Sequence, residues 1–207
     1  MRIALATIVF ATALTTGTAT AREPGPYDVK QGDATQPLPK GVKAKGAVVE
    51  QVWTWQDGDL ATDGLAVFSS TETVKDGHLT GRKIYVQYFR GKAGKWKQVR
   101  LITDGVSGCE FDVIAKFLPG SVQITDEDTD MVSELSFAYD VTCTSDVSPS
   151  TRKLLVLEGK DKHALRGTSR INAGPDSFGG EFKPDGFKKA PALKALAETQ
   201  WKALLGT

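Results

Sequence analysis

The sequence predicts an all-β domain, an antiparallel meander curled into a sandwich, barrel or partial propeller, with one C-terminal amphipathic helix. Three observations predict it. Short runs rich in β-branched and aromatic residues alternate with period two, turn signals separate nearly every pair of runs, and helical periodicity appears only near the end of the chain. Residues 48–55 set the pattern, with Val49, Gln51, Trp53 and Trp55 on one face and Val48, Glu50, Val52 and Thr54 on the other. Residues 65–70, 83–89 and 96–103 repeat it between the turn signals Asp57-Gly58, Asp63-Gly64, Asp76-Gly77 and Lys92-Ala93-Gly94-Lys95. Further short strands are expected at 111–117, 121–125, 134–143, 152–158 and 162–167. Connections this short favour antiparallel pairing, because parallel pairs need crossovers of about a dozen residues.

The period changes at the end of the chain. Leu193, Leu196, Ala197, Trp201, Leu204 and Leu205 recur at three- and four-residue steps, with Lys194, Glu198 and Lys202 opposite. Pro191 suits a first helical turn and Gly206 a helix end, so a helix of about 190–205 is expected. Trp201 and its leucines in water would forfeit several kcal/mol of burial, which argues for a lid packed on the sheet rather than a free docking surface.

The N-terminus reads differently. Met1-Arg2, an apolar run of about a dozen residues and Ala19-Thr20-Ala21 match a cleavable secretory signal spanning residues 1–21. A run that short does not span a bilayer, which takes about 20 residues, so no transmembrane span is expected in the mature chain. The expected location is periplasmic or secreted. Residues 22–45, rich in Pro, Gly, Lys and Gln, read as a flexible lead-in, with order beginning near Gly46. Residues 46–207 then form a single domain.

Without residues 1–21 the chain carries 25 basic and 25 acidic residues. Such neutrality argues against nucleic-acid or anionic-membrane partners, which require a basic surface. The local cluster from Arg90 to Lys97 reads as a solvated hairpin loop. Cys109 and Cys143, an even count in an exported chain, are expected to form a disulfide. Closing a loop of about 35 residues is worth on the order of 4 kcal/mol. Two Cys and two His without paired spacing speak against zinc.

The most specific chemistry lies between residues 126 and 134. Asp126, Asp128, Asp130 and Glu134 occupy positions 1, 3, 5 and 9 of a short loop between two strands. Ca²⁺ takes six to eight oxygens, and alternate inward carboxylates with a backbone carbonyl near position 7 supply most of them. Met131 occupies position 6, where such loops usually need Gly; an acidic turn with solvated carboxylates is the alternative. The loop resembles the D-x-D-x-D-G-x-x-D/E calcium loops of FG-GAP repeats in integrin-type β-propellers, although this length is too short for a full propeller.

A wider set of residues also resembles a known family. Gly108-Cys109-Glu110-Phe111-Asp112, Ile124-Thr125-Asp126 through Glu134, Tyr139 to Cys143, Ser145-Asp146-Val147-Ser148-Pro149-Ser150, Lys153-Leu154 and Ala164-Leu165-Arg166-Gly167 together look like a family of secreted bacterial proteins labelled surface polysaccharide biosynthesis. The resemblance covers roughly residues 46–172. It implies a cell-envelope setting and assigns no catalytic residue.

Asp146 and Ser148 read as an ordered turn beside Cys143, or alternatively as a sugar-contacting loop. His78 and His163 stand without a Ser or Cys in a nucleophile elbow and read as surface or strand residues. Trp53, Trp55, Tyr85, Tyr88 and Trp96 read as core aromatics, with stacking on sugar rings as the alternative. The functional expectation is a non-enzymatic envelope protein that binds a glycan or protein partner and is stabilised by Ca²⁺. The alternative is a polysaccharide hydrolase or lyase using acids of the 126–134 loop, with paired carboxylates across the sugar.

Overall fold

A computed structural model describes residues 25–206. The expected signal segment, residues 1–21, lies outside them. The chain forms two antiparallel six-stranded sheets packed face to face, a small two-stranded ribbon and one α-helix. This is the expected all-β architecture, and of the three forms it is the sandwich.

The first sheet contains β1 (Tyr27–Gly32), β2 (Val48–Gln56), β3 (Asp63–Ser70), β4 (Val74–Asp76), β5 (Leu79–Lys92) and β6 (Lys95–Cys109). The second contains β7 (Asp112–Phe117), β8 (Gln123–Thr125), β9 (Glu134–Thr144), β10 (Thr151–Glu158), β11 (Asp161–Thr168) and β14 (Phe182–Asp185). The ribbon is β12 (Arg170–Ile171) with β13 (Phe178–Gly179). Ala93 and Gly94 both take positive φ, as a two-residue hairpin turn between β5 and β6 requires. Gly64 sits opposite Trp55, where a Cβ would fall 1.9 Å from the indole ring.

Alternation places the core. Trp55, Phe68, Val86 and Tyr88 face Phe117, Phe137, Tyr139 and Leu155 between the sheets. Phe68 meets Phe117 and Phe137 edge-on at 5.1 and 5.3 Å. In β2 a bulge between Val49 and Gln51 breaks the predicted alternation, so Val49 joins Val52 on the outer face. Trp55 and Tyr88 are core residues, whereas Trp53 and Tyr85 stay half-buried and line separate cavities.

The helix α1 (Pro191–Ala203) lies on the outer face of the second sheet, as a lid. Leu193, Ala197 and Trp201 pack on Ala138, Leu154, Val156 and Leu165. Polar contacts fix its position: Trp201 Nε1 donates to the Gly180 carbonyl at 2.9 Å, Gln200 to the Ser121 carbonyl, and Arg152 to the Leu204 carbonyl. Buried Arg152 also grips Asp140 through two bonds of 2.9 and 3.1 Å. The expected disulfide is present: Cys109 at the end of β6 joins Cys143 in β9 and ties the two sheets together.

The lead-in is a correction. Within residues 22–45, expected to lack order, Tyr27–Gly32 pairs with β2 and Val42 is buried on the outer face of the first sheet with Val52, Leu65, Val67 and Phe89. Lys45 N donates to Gln87 Oε1 at 2.7 Å, and Gln87 Nε2 donates to the Lys43 carbonyl at 3.1 Å. Pairing with an edge strand supplies backbone partners that do not depend on apolar content. Among the described residues no helix is long and apolar enough to cross a membrane.

Candidate metal centre

The loop between β8 and β9 carries the four acids in the expected order. β8 and β9 are joined at their ends by the pair Thr125 and Glu134, which pins positions 126 and 134 side by side. Position 6 is strained as the sequence implies: Met131 takes φ 69° and Thr129 φ 61°, in the left-handed region that favours glycine. Val132 N donates to Asp130 Oδ1 at 2.7 Å. Carboxylate oxygens of Asp126, Asp128 and Asp130 all lie within 4.8 Å of one another.

A second triad shares Asp128. It consists of Asp128, Glu134 and Glu158, again with oxygens within 4.8 Å. Glu158 ends β10 directly opposite Glu134 of β9. Like charges directly opposite on neighbouring strands destabilise a sheet. Glu158 was not among the acids the sequence singles out, because its approach depends on the β9–β10 register across an intervening loop.

Burial governs the protonation of these groups. Desolvation pushes Glu158 up to about 7, with the charges of Asp128, Asp130, Glu134 and Asp161 adding to it. Desolvation also raises buried Glu134, against the hydrogen bonds it accepts from Thr125 Oγ1 at 2.7 Å and the Glu127 amide at 3.0 Å. Asp126 is raised as well, first by desolvation and then by Asp130 and Asp128. Its two oxygens are closed to solvent and accept no full hydrogen bond; the Met131 and Asp130 amides near it offset only part of the shift.

The loop is held from the other sheet. Asp57, at the β2–β3 turn, accepts from Ser133 N at 3.2 Å, and Gly58 N donates to the Met131 carbonyl at 3.0 Å. Asp57 pairs in turn with Arg90. Arg90 was expected in a solvated hairpin with Lys92, Lys95 and Lys97. Its side chain is only 19% exposed and is committed to Asp57, while the three lysines are in solvent. The difference follows from its place two residues inside β5, where alternation turns it toward the acidic end of the sandwich.

The remaining expected residues lie apart from this cluster. Asp146 and Ser148 form an exposed turn in which Ser148 Oγ and Thr144 Oγ1 donate to Asp146 Oδ1, and the Ser148 and Thr144 hydrogen bonds hold the Asp146 carboxyl below its ordinary value. His78 is exposed 3.5 Å from Glu110. His163 stacks on Phe187 at 5.1 Å and shares a hydrogen bond with the Gly186 carbonyl. Among the described residues, three of the cavities along the sandwich are lined without any acid of the 126–134 loop.

Chemically, the cluster offers only oxygen donors, in two triads that meet at Asp128. That donor set suits a hard divalent cation and is poor for metals that prefer nitrogen or sulfur. In comparison with known proteins, no family model matches the chain, no curated protein matches it, and no solved structure matches its fold.

Proposed function

We propose that this protein is an exported, non-enzymatic component of the cell envelope that binds a glycan or an envelope partner, with Ca²⁺ stiffening the 126–134 loop. The observation that carries the cation is the five-carboxylate cluster of Asp126, Asp128, Asp130, Glu134 and Glu158, whose buried members sit above their ordinary pKa. Left alone, such a cluster repels itself or takes up protons; a divalent cation satisfies the same oxygens at neutral pH. Asp126, Asp128, Asp130, Glu134 and Glu158 are the proposed ligands, and the Val132 carbonyl at position 7 fits the loop pattern. The disulfide across the sheets supports an oxidising compartment. The envelope setting follows the resemblance to the surface-polysaccharide family.

The alternative hydrolase or lyase would use the same acids as proton donor and base. Such chemistry needs a groove that brings the sugar between two carboxylates, and none of those three cavities is lined by them. One experiment separates the two readings. The variant carrying Asp128→Asn and Glu134→Gln is expected to lose the calcium-induced rise in melting temperature while glycan retention by the folded protein persists. Turnover of a polysaccharide by the parent protein, abolished in this variant with the fold intact, would establish the enzyme reading instead.

A further inference from the structure

The inner side of the second sheet is not sealed along its whole length. In the first sheet β6 pairs only with β5 and forms an edge, whereas the second sheet continues from β9 through β10 and β11 to β14. The inner side of β10 and β11 is open only in part: Leu155, Leu157 and Ala164 are buried, whereas Lys162 and Arg166 are exposed. Inward positions in a sandwich are normally apolar. Here Leu155 and Ala164 obey that rule, but their neighbours Lys153, Lys162 and Arg166 do not. Along β11 the alternation is plain: Leu165 points outward beneath α1, while Lys162 and Arg166 share the inward side with Ala164.

These cations border a cavity of about 310 Å³, at the small end of the range for ligand sites. Asp104 of β6 and Tyr139 of β9 complete its polar wall. Tyr139, Lys153 and Arg166 form one cross-strand row. Lys153 and Arg166 are thus like charges placed directly opposite, an arrangement that costs stability unless anions answer it. Asp104 answers Lys153, accepting from its Nζ at 2.5 Å and from the Tyr139 hydroxyl at 2.8 Å. Burial would raise Asp104, yet the bonds from Lys153, Tyr139 and the Gly105 amide outweigh it and hold the carboxyl below its ordinary value, so it stays charged and fixes the lysine. Arg166 has only a half-exposed contact with Asp185 at 3.4 Å, and Lys162 has no ion pair among the described residues.

We propose that this cleft binds one acidic sugar residue of an anionic glycan, with Lys162 and Arg166 taking its carboxylate and Asp104 accepting from a ring hydroxyl. A uronic acid supplies each complementary group: one carboxylate and several hydroxyl donors. The proposal rests on the glycan-binding reading and makes it specific. It does not involve the acidic loop, whose Glu134 and Glu158 share the helix-bearing face of the same sheet with Ala138 and Val156.

The test is titration of the mature protein with oligogalacturonate and, separately, with a neutral glucan oligomer of equal length, followed by amide chemical shifts. Oligogalacturonate is expected to bind, with shifts centred on Lys153, Lys162 and Arg166 and affinity falling as sodium chloride rises. The double variant Lys162→Ala, Arg166→Ala is expected to weaken it at least about tenfold, the scale of losing charge-assisted hydrogen bonds. Lys97→Ala, which removes an exposed charge elsewhere, leaves affinity unchanged. Equal binding of both oligomers, with no effect of the double variant, overturns the acidic-sugar assignment but leaves the glycan reading standing. Binding of neither oligomer overturns both.

Discussion

Replacing Asp57 by Ala removes a side chain that joins the acidic loop to the other sheet. Its carboxylate is 1% exposed and Arg90 19% exposed, so the substitution leaves a largely buried guanidinium without its partner. Breaking a buried pair costs about 3 to 5 kcal/mol, and the residual exposure of Arg90 puts this case near about 3. The Ser133 amide, buried and bonded to Asp57 at 3.2 Å, adds about 1 kcal/mol when orphaned. The expected loss is about 4 kcal/mol, or about 10 °C in melting temperature for a chain of this size. Urea denaturation of the parent and variant, at matched calcium, measures it directly. The calcium-induced stabilisation should shrink as well, because the Met131 end of the loop loses its neighbouring anchor. A loss below about 1 kcal/mol, with an unchanged calcium response, would refute the view that Asp57 braces the loop.

Other outcomes follow from the same structure. Glu158→Gln should raise the melting temperature of chelator-treated protein at pH 8 and, under the proposed calcium binding, reduce the rise that calcium produces, since one group repels its neighbours and is a proposed ligand. The folded pKa of Glu158 is about 7 against an ordinary 4.5. The unfolded chain therefore loses this proton first. Stability of the metal-free protein should decline as pH rises from about 4.5 through 7 and then level off. Denaturation midpoints across that window should show the slope, and Glu158→Gln should flatten it. Replacing Cys109 and Cys143 by Ser should cost on the order of 4 kcal/mol by equilibrium unfolding, because the bond closes a 34-residue separation between sheets. Met131→Gly should raise stability by about 1 kcal/mol through relief of the left-handed backbone, measured as a higher urea midpoint.

Much of the fold was legible because period-two alternation survives over long stretches, from Trp53 and Trp55 in β2 to Leu155 and Leu157 in β10. The helix was legible from Leu193, Ala197 and Trp201 for the same reason at another period. What alternation omits is pairing. Tyr27–Gly32 has almost no apolar signal, yet β2 gives its backbone an edge to bond. Register likewise stays hidden: Asp126, Asp128, Asp130 and Glu134 are neighbours in sequence, whereas Glu158 joins them only because β10 aligns it with Glu134. Arg90 could be seen as a charge near a turn, but not as the partner of Asp57 33 residues away. The cleft cations were individually visible inside predicted strands; their meaning emerged only once the β10–β11 register placed them on one side of a cavity.

Direct calcium binding tests the central claim most closely. Isothermal titration of calcium into chelator-stripped protein should show saturable binding to the acidic loop, abolished by Asp128→Asn because both triads share that residue. Absence of binding up to millimolar calcium, or equal binding by the variant, would contradict a cation-completed loop.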